Sequence, residues 1–389
     1  MNKPQIRIKG FSGDEWVEKK LKDLCDKDSS CLTQGKLGES SGCYPVFGAS
    51  GFVQNISKYS KDKDYIGIIK DGAGAGRVDI YPAFSSLLGT MQYILPNDNS
   101  EIYFLCNLLN NTDFSLYLTG STIPHIYFKD YCEEVVYIPV DKKEQIYISA
   151  FFRSLDSLIQ SAAKKIASLK QIKAASLQSM FPQNGETKPK VRFKGFEEEW
   201  EICKLSDIAR RVTRKNTNLE SKLPLTISSI DGLVSQINYF NNIVASSNLR
   251  GYYLIKNGEF AYNKSYSNGY PWGSVKRLDR YENGALSTLY IVFEIKGNIS
   301  SDYLTHFFDT SLWHKDVSER AAEGARNHGL LNISADDFLD IQIIYPNNIS
   351  EQQKIASYFR SLDNQISLQE KRLEKLKQIK STCLDKMFV

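Results

Sequence analysis

Two stretches of the chain place an apolar residue at every third or fourth position, with neither glycine nor proline inside them. In 144–181 the seam runs Phe152, Leu155, Ile159, Ala162, Ile166, Leu169, Lys173, Ser176, Met180; in 351–388 it runs Phe359, Leu362, Ile366, Gln369, Leu373, Leu376, Lys380, Cys383, Met387. Alternating steps of three and four make heptads, so both stretches predict long helices. At 1.5 Å per residue each would span about 57 Å. Pro139 and Pro346 end an extended run before each helix. Asp141 then precedes Glu144 by three and Ser350 precedes Gln353 by three, the spacing of a capping box. Such lengths exceed the ~11–12 residues of an ordinary helix several-fold. Matching seams predict that the helices pair with each other as a coiled coil, with Lys173 and Lys380 as polar positions that set register.

Between the helices the pattern changes to short apolar runs punctuated by Gly, Pro, Asn and Asp, which predicts mixed β structure. Expected strands are 65–70, 76–81, 91–95, 251–255, 275–278 and 289–295; expected short helices are 102–109 and 302–310. The fold class is therefore α+β.

The chain also repeats itself. Lys3-Pro4-Gln5-Ile6-Arg7-Ile8-Lys9-Gly10-Phe11 returns as Lys188-Pro189-Lys190-Val191-Arg192-Phe193-Lys194-Gly195-Phe196, 185 residues later. Segment 144–181 aligns without gaps with 351–388, 207 residues later, and 18 of the 38 positions are identical. A period near 200 residues is too long for a solenoid and reads as a duplicated half with pseudo-two-fold symmetry. Two-fold-related helices that pair across an axis perpendicular to them run antiparallel. The expected order is a first domain at 1–143, a helix at 144–181, a second domain at 182–349 and a second helix at 350–389.

Composition narrows the class. Hydrophobic residues make up 42% of 389 positions, enough for proper cores. No apolar run reaches membrane-spanning length, the first residues have no signal-peptide core, and seven scattered cysteines form no C-x-x-C pair. Those features fit a cytoplasmic chain with reduced thiols. Net charge is only +4, so nucleic-acid binding would need clustered cations.

The candidate catalytic patterns fail. Asp71-Gly72-Ala73-Gly74-Ala75-Gly76 looks like a nucleotide-binding glycine loop, but such a loop must open onto a helix. Here Arg77-Val78-Asp79-Ile80-Tyr81-Pro82 follows, a β-branched run, so a hairpin turn is expected. The second half keeps Gly273–x–Val275 in the place of Gly76–x–Val78. The four histidines show no metal-ligand spacing, and neither G-x-S-x-G nor a P-loop occurs. Cations do cluster. Arg210, Arg211, Arg214 and Lys215 fall within six residues, and Lys58, Lys61, Lys63 and Lys70 within thirteen. Arg77 adjoins the first glycine turn; Lys264, Lys276 and Arg277 flank the second, interleaved with Tyr266 and Tyr270, and Arg326 lies in a polar stretch. These side chains suit phosphates and base edges. The candidate DNA contacts are Lys58, Lys63, Lys70, Arg77, Arg210, Arg211, Arg214, Lys264, Tyr266, Tyr270, Lys276, Arg277 and Arg326.

Together these features resemble the DNA-specificity subunit of type I restriction-modification systems. The carrying residues are Lys9-Gly10-Phe11…Trp16…Lys20-Leu21 and its repeat Lys194-Gly195-Phe196…Trp200…Lys204-Leu205, the Gly–x–Val turns, Ile138-Pro139 and Tyr345-Pro346, and the paired helix motifs. The resemblance covers essentially the whole chain. It implies two target recognition domains separated by two helices in an antiparallel coiled coil, and an asymmetric bipartite DNA target. It also implies no catalysis and no cofactor in this chain, with S-adenosylmethionine, ATP and Mg²⁺ on partner methyltransferase subunits, two of them expected, and on restriction subunits. Phe152, Leu155, Leu169, Phe359, Leu362 and Leu376 are the helix positions it suggests for partner binding. Two other readings compete: a two-domain scaffold that binds proteins and no DNA, and a nuclease using Glu18 and Lys20.

Overall fold

The computed structural model describes residues 4–11, 15–39, 42–183, 185–240, 248–321 and 331–388. The first half runs β1 (Val17–Lys20), β2 (Cys25–Ser29), β3 (Tyr44–Gly48), β4 (Gly51–Ile56), β5 (Tyr65–Ile69), β6 (Val78–Tyr81), β7 (Ser86–Leu87), β8 (Met91–Pro96), α1 (Ile102–Asn111), α2 (Phe128–Tyr131), β9 (Val135–Ile138) and the long α3 (Lys142–Met180). The second runs β10 (Glu201–Lys204), α4 (Leu205–Ile208), β11 (Ala209–Arg211), β12 (Pro224–Ser228), β13 (Gly232–Ser235), α5 (Gln236–Phe240), β14 (Tyr253–Lys256), β15 (Phe260–Asn263), β16 (Ser274–Arg277), β17 (Asn283–Leu286), β18 (Ile291–Ile295), α6 (Ser301–Phe307), α7 (His314–Arg320), α8 (Ala335–Leu339), β19 (Gln342–Tyr345) and the long α9 (Ile349–Met387).

The chain forms two compact units, 1–165 with 369–389 and 166–368, so each long helix gives one end to each unit. In the first unit β2-β8-β5-β6 make an antiparallel sheet, β4-β3-β7 a second sheet in which β3 and β7 are parallel, and β1 pairs with β9. The second unit repeats the plan as β11-β18-β15-β16, β13-β12-β17-β14 with β12 and β17 parallel, and β10 with β19. The duplication legible in the sequence is thus a duplication of topology, including segments whose sequences have diverged.

The expected elements are present with small shifts. The strand anticipated from Leu289 starts at Ile291, because Ser287 accepts the amides of Leu289 and Tyr290 in a turn. Helix α6 ends at Phe307 and opens on Ser300, whose hydroxyl accepts the Tyr303 amide. The first long helix begins where a cap at Asp141 places it, at Lys142, and the second begins two residues earlier than a cap at Ser350 would, at Ile349. Asp141 accepts the Lys143 amide, and Asn348, 207 residues on, accepts that of Ser350. Asn348, not Ser350, caps the second helix. Glu144 and Glu351 do not reach back to a cap. Each, 1% exposed, takes a two-pronged contact from the arginine of the repeated N-terminal motif: Arg7 to Glu144 at 2.7 and 2.8 Å, Arg192 to Glu351 at 2.6 and 2.8 Å.

The antiparallel pairing of the helices is visible inside each unit. In the first, Lys380 of α9 meets Asp156 of α3 at 2.6 Å. In the second, Lys173 of α3 meets Asp363 of α9 at 2.7 Å. Each contact is the 207-residue image of the other. The lysines that interrupt the apolar seam are therefore its polar register pins. Each unit is closed by a phenylalanine from the far end of a helix. Phe388 lies 5.4 to 6.3 Å from the rings of Phe104, Phe152 and Trp16; Phe181 lies 5.6 to 6.0 Å from Tyr303, Phe359 and Trp200. No described helix is long and apolar enough to cross a membrane.

Candidate nucleic-acid interface

The glycine segment of the first half is the turn of the β5–β6 hairpin, and its counterpart is the longer β15–β16 connection. Gly76 has φ +91° and a Cβ there would meet the Phe114 Cβ at 2.9 Å; Gly273 has φ +79° and a Cβ would lie 2.1 Å from the Asn263 carbonyl oxygen. Only glycine fits either place, which explains the shared Gly–x–Val. A strand follows each turn, so there is no helix N-terminus to cradle a phosphate.

A second hairpin meets each glycine turn. In the first unit the tip between β3 and β4 is Ala49-Ser50, and the Arg77 guanidinium donates to the Ala49 carbonyl. In the second, the tip between β12 and β13 is Ser229-Ile230-Asp231. The Ser229 hydroxyl lies 3.1 Å from that of Ser267, on the β15–β16 connection, and 3.2 Å from that of Ser274, the first residue of β16. The same two tips are thus joined in both units, by different chemistry. The sequence reading missed this second hairpin, although Asp231-Gly232 between apolar runs is a hairpin signal. In the first unit the joint borders a cleft of about 730 Å³ lined by Thr33, Gln34, Ser50, Phe52 and Thr90.

The sequence-predicted cations fall into two groups. Lys58, Lys63 and Arg211 are exposed and make no ion pair among the described residues, Arg77 is exposed at the joined tips, and half-buried Lys264 donates to the Ile333 carbonyl at 3.4 Å. The others are engaged by carboxylates: Arg210 by Glu294, Arg214 by Glu259 at 2.6 Å, Lys276 by Asp309 at 3.3 Å, Arg277 by Asp279 at 2.6 Å and Asp302 at 2.8 Å, and Lys70 by Asp71 at 3.8 Å. Tyr266 is exposed and Tyr270 half-buried on the glycine connection. Arg326 lies outside the described residues. The helix positions Phe152, Leu155, Leu169, Phe359 and Leu362 are buried within the chain's own core and Leu376 is partly buried against it, so their side chains face inward. Lys20 is held by Glu133 at 2.7 Å, while exposed Glu18 accepts from the Tyr137 hydroxyl at 3.3 Å.

One polar cluster, of which His306 is buried and the two carboxylates half-buried, stands apart from the tips. His306, Asp309 and Asp363 bring potential ligand atoms within 4.8 Å of one another. Lys173 already occupies the middle, 3.0 Å from Asp309 and 2.7 Å from Asp363. Burial raises the Asp309 carboxyl, but the His306 ring and the Lys276 and Lys173 ammoniums outweigh it and hold the group well below the usual range. Burial likewise opposes the charge of Lys173, and the two carboxylates more than restore it. The Lys173 ammonium thus bridges the two carboxylates.

Fold and site define a class: a chain of two mixed α/β units, each holding antiparallel ends of two long helices and presenting joined hairpin tips. A family model described as the type I restriction modification DNA specificity domain matches residues 13–171 and again 197–378. The chain belongs to that family. Among solved structures it is similar to the type I restriction-modification S subunit from M. genitalium, with a TM-score of 0.68 at 18% identity, covering 100% of this chain and 99% of that one. It is also similar to a chain from a structure on complex assembly and conformational transition of the type I R-M system, with a TM-score of 0.50 at 13% identity, covering 96% and 97%. No curated protein sequence matches it.

Proposed function

We propose that this chain is the DNA-specificity subunit of a type I restriction-modification complex. It reads an asymmetric bipartite target and directs adenine methylation or restriction by partner subunits. The observation that carries this reading is the double match of a DNA specificity domain, once in each half, on units that share a topology but differ in tip chemistry. Residues 1–143 and 182–349 act as target recognition domains, and helices 144–181 and 350–389 as the spacer between them. A fixed spacer would yield two short half-sites separated by an unread gap. Two methyltransferase subunits and the restriction subunits dock on the chain in the cytoplasm. They carry S-adenosylmethionine, ATP and Mg²⁺, and this chain does no chemistry. The exposed faces of the helices, where Phe151 and Leu158 stand, are left for those partners.

Binding of the purified chain to duplex DNA across a salt series tests the reading. Affinity should fall linearly with salt on a logarithmic plot, and adenine methylation should appear only when methyltransferase subunits and S-adenosylmethionine are added. Salt-independent or absent DNA binding would favour the protein scaffold, and divalent-ion-dependent cleavage by the chain alone would favour a nuclease.

A further inference from the structure

We propose that in each unit the two joined hairpin tips form one edge that reads base pairs, with Phe52 in the first unit and Ile230 in the second as its apolar contacts. The inference rests on the functional reading above and deepens it. A guanidinium–carbonyl contact joins the tips in one unit and serine hydroxyls join them in the other. Their union therefore belongs to the shared scaffold and not to one side chain.

Both edges hold a large apolar side chain in water. Ile230 is 83% exposed, the most of any large hydrophobic among the described residues, and Phe52, just after the glycine that closes its turn, is 60% exposed. Beside them stand groups with base-reading chemistry. In the first unit, Gln34 and the hydroxyls of Thr33, Ser50 and Thr90 line a cleft that carries no carboxylate, with Arg77 at the joint to meet a phosphate. Another cleft of that unit, about 370 Å³, differs in mixing Asp64, Asp79 and Asp156 with Arg153 and Lys380, and Lys380 already pairs with Asp156 at 2.6 Å. In the second unit Ile230 is flanked by Ser229 and Asp231, whose carboxylate accepts the Ser228 hydroxyl at 2.9 Å. Glutamine suits the adenine edge, a carboxylate accepts from the cytosine amino group, and apolar side chains pack on the thymine methyl or wedge between base steps. One scaffold with two sets of tip side chains meets the requirement of two different half-sites.

The test uses the complete complex assembled with the full chain carrying Phe52→Ala or Ile230→Ala. Adenine methylation is mapped on DNA of random sequence, and duplex affinity is measured across salt. Each variant should lose roughly tenfold or more discrimination at one or two base pairs of one half-site. The other half-site and the salt slope should stay unchanged, because neither side chain is charged. Phe52→Leu and Ile230→Val, which keep the apolar contact, should restore most of the discrimination. An unchanged motif in both alanine variants, or an equal loss at both half-sites, would overturn the inference. A wild-type complex that methylates no bipartite motif would overturn the functional reading, and this inference with it.

Discussion

Arg7–Glu144 and Arg192–Glu351 tie the repeated N-terminal motif of each half to the first turn of the following helix. With Glu351 only 1% exposed, removing its partner leaves a buried carboxylate uncompensated. Arg192→Ala should cost about 3–5 kcal/mol of stability, measurable by denaturant unfolding. Asp309 gives a pH signature. Its carboxyl is held below the usual range, so its stabilising contribution is present above the unfolded value of about 4 and is lost as pH falls below that. Wild type should therefore lose stability more steeply than Asp309→Asn between about pH 4 and 2. Equal slopes would show that the cluster does not contribute. The sequence displayed these side chains but not their partners. Arg210 finds Glu294 84 residues away, and Arg214 finds Glu259 45 residues away. Strand register decides such pairs, and composition counts both members of each as ordinary surface charge.

At the scale of elements, the long helices were legible because a heptad seam is a local property. Every residue of the two seams is buried or half-buried, and Lys173 and Lys380 pair across the helices as expected of polar seam positions. The β5–β6 turn was legible too, since a strand and not a helix follows the glycines. The bonded tips were not, because they are joined only in three dimensions. A ruler role for the helices has a direct test. Both α3 and α9 must keep their register, so seven residues, one heptad, are inserted in each, after Lys165 and after Leu368. Seven residues add about 10 Å, or about three base pairs at ~3.4 Å each. The gap in the methylated motif should widen by about three base pairs with both half-sites intact. An unchanged gap would remove the helices as the ruler.

At the scale of the molecule, the sequence suggests a linear order of domain, helix, domain, helix, whereas packing joins residues 1–165 with 369–389. The last turn of the chain closes the first unit: Phe388 contacts Trp16, Phe104 and Phe152. Phe388→Ala should cost about 3–5 kcal/mol, and hydrogen exchange should rise around Trp16 and Phe104, not around Trp200 and Tyr303. The central claim is that two different units read two different half-sites for one complex. Adenine methylation mapped across a genome, with this gene present and with it deleted, tests that claim most directly. The account predicts one motif of two unlike short parts separated by an unspecified gap, lost on deletion and restored by the gene. A motif that survives deletion, or one that is continuous or strictly palindromic, would contradict it.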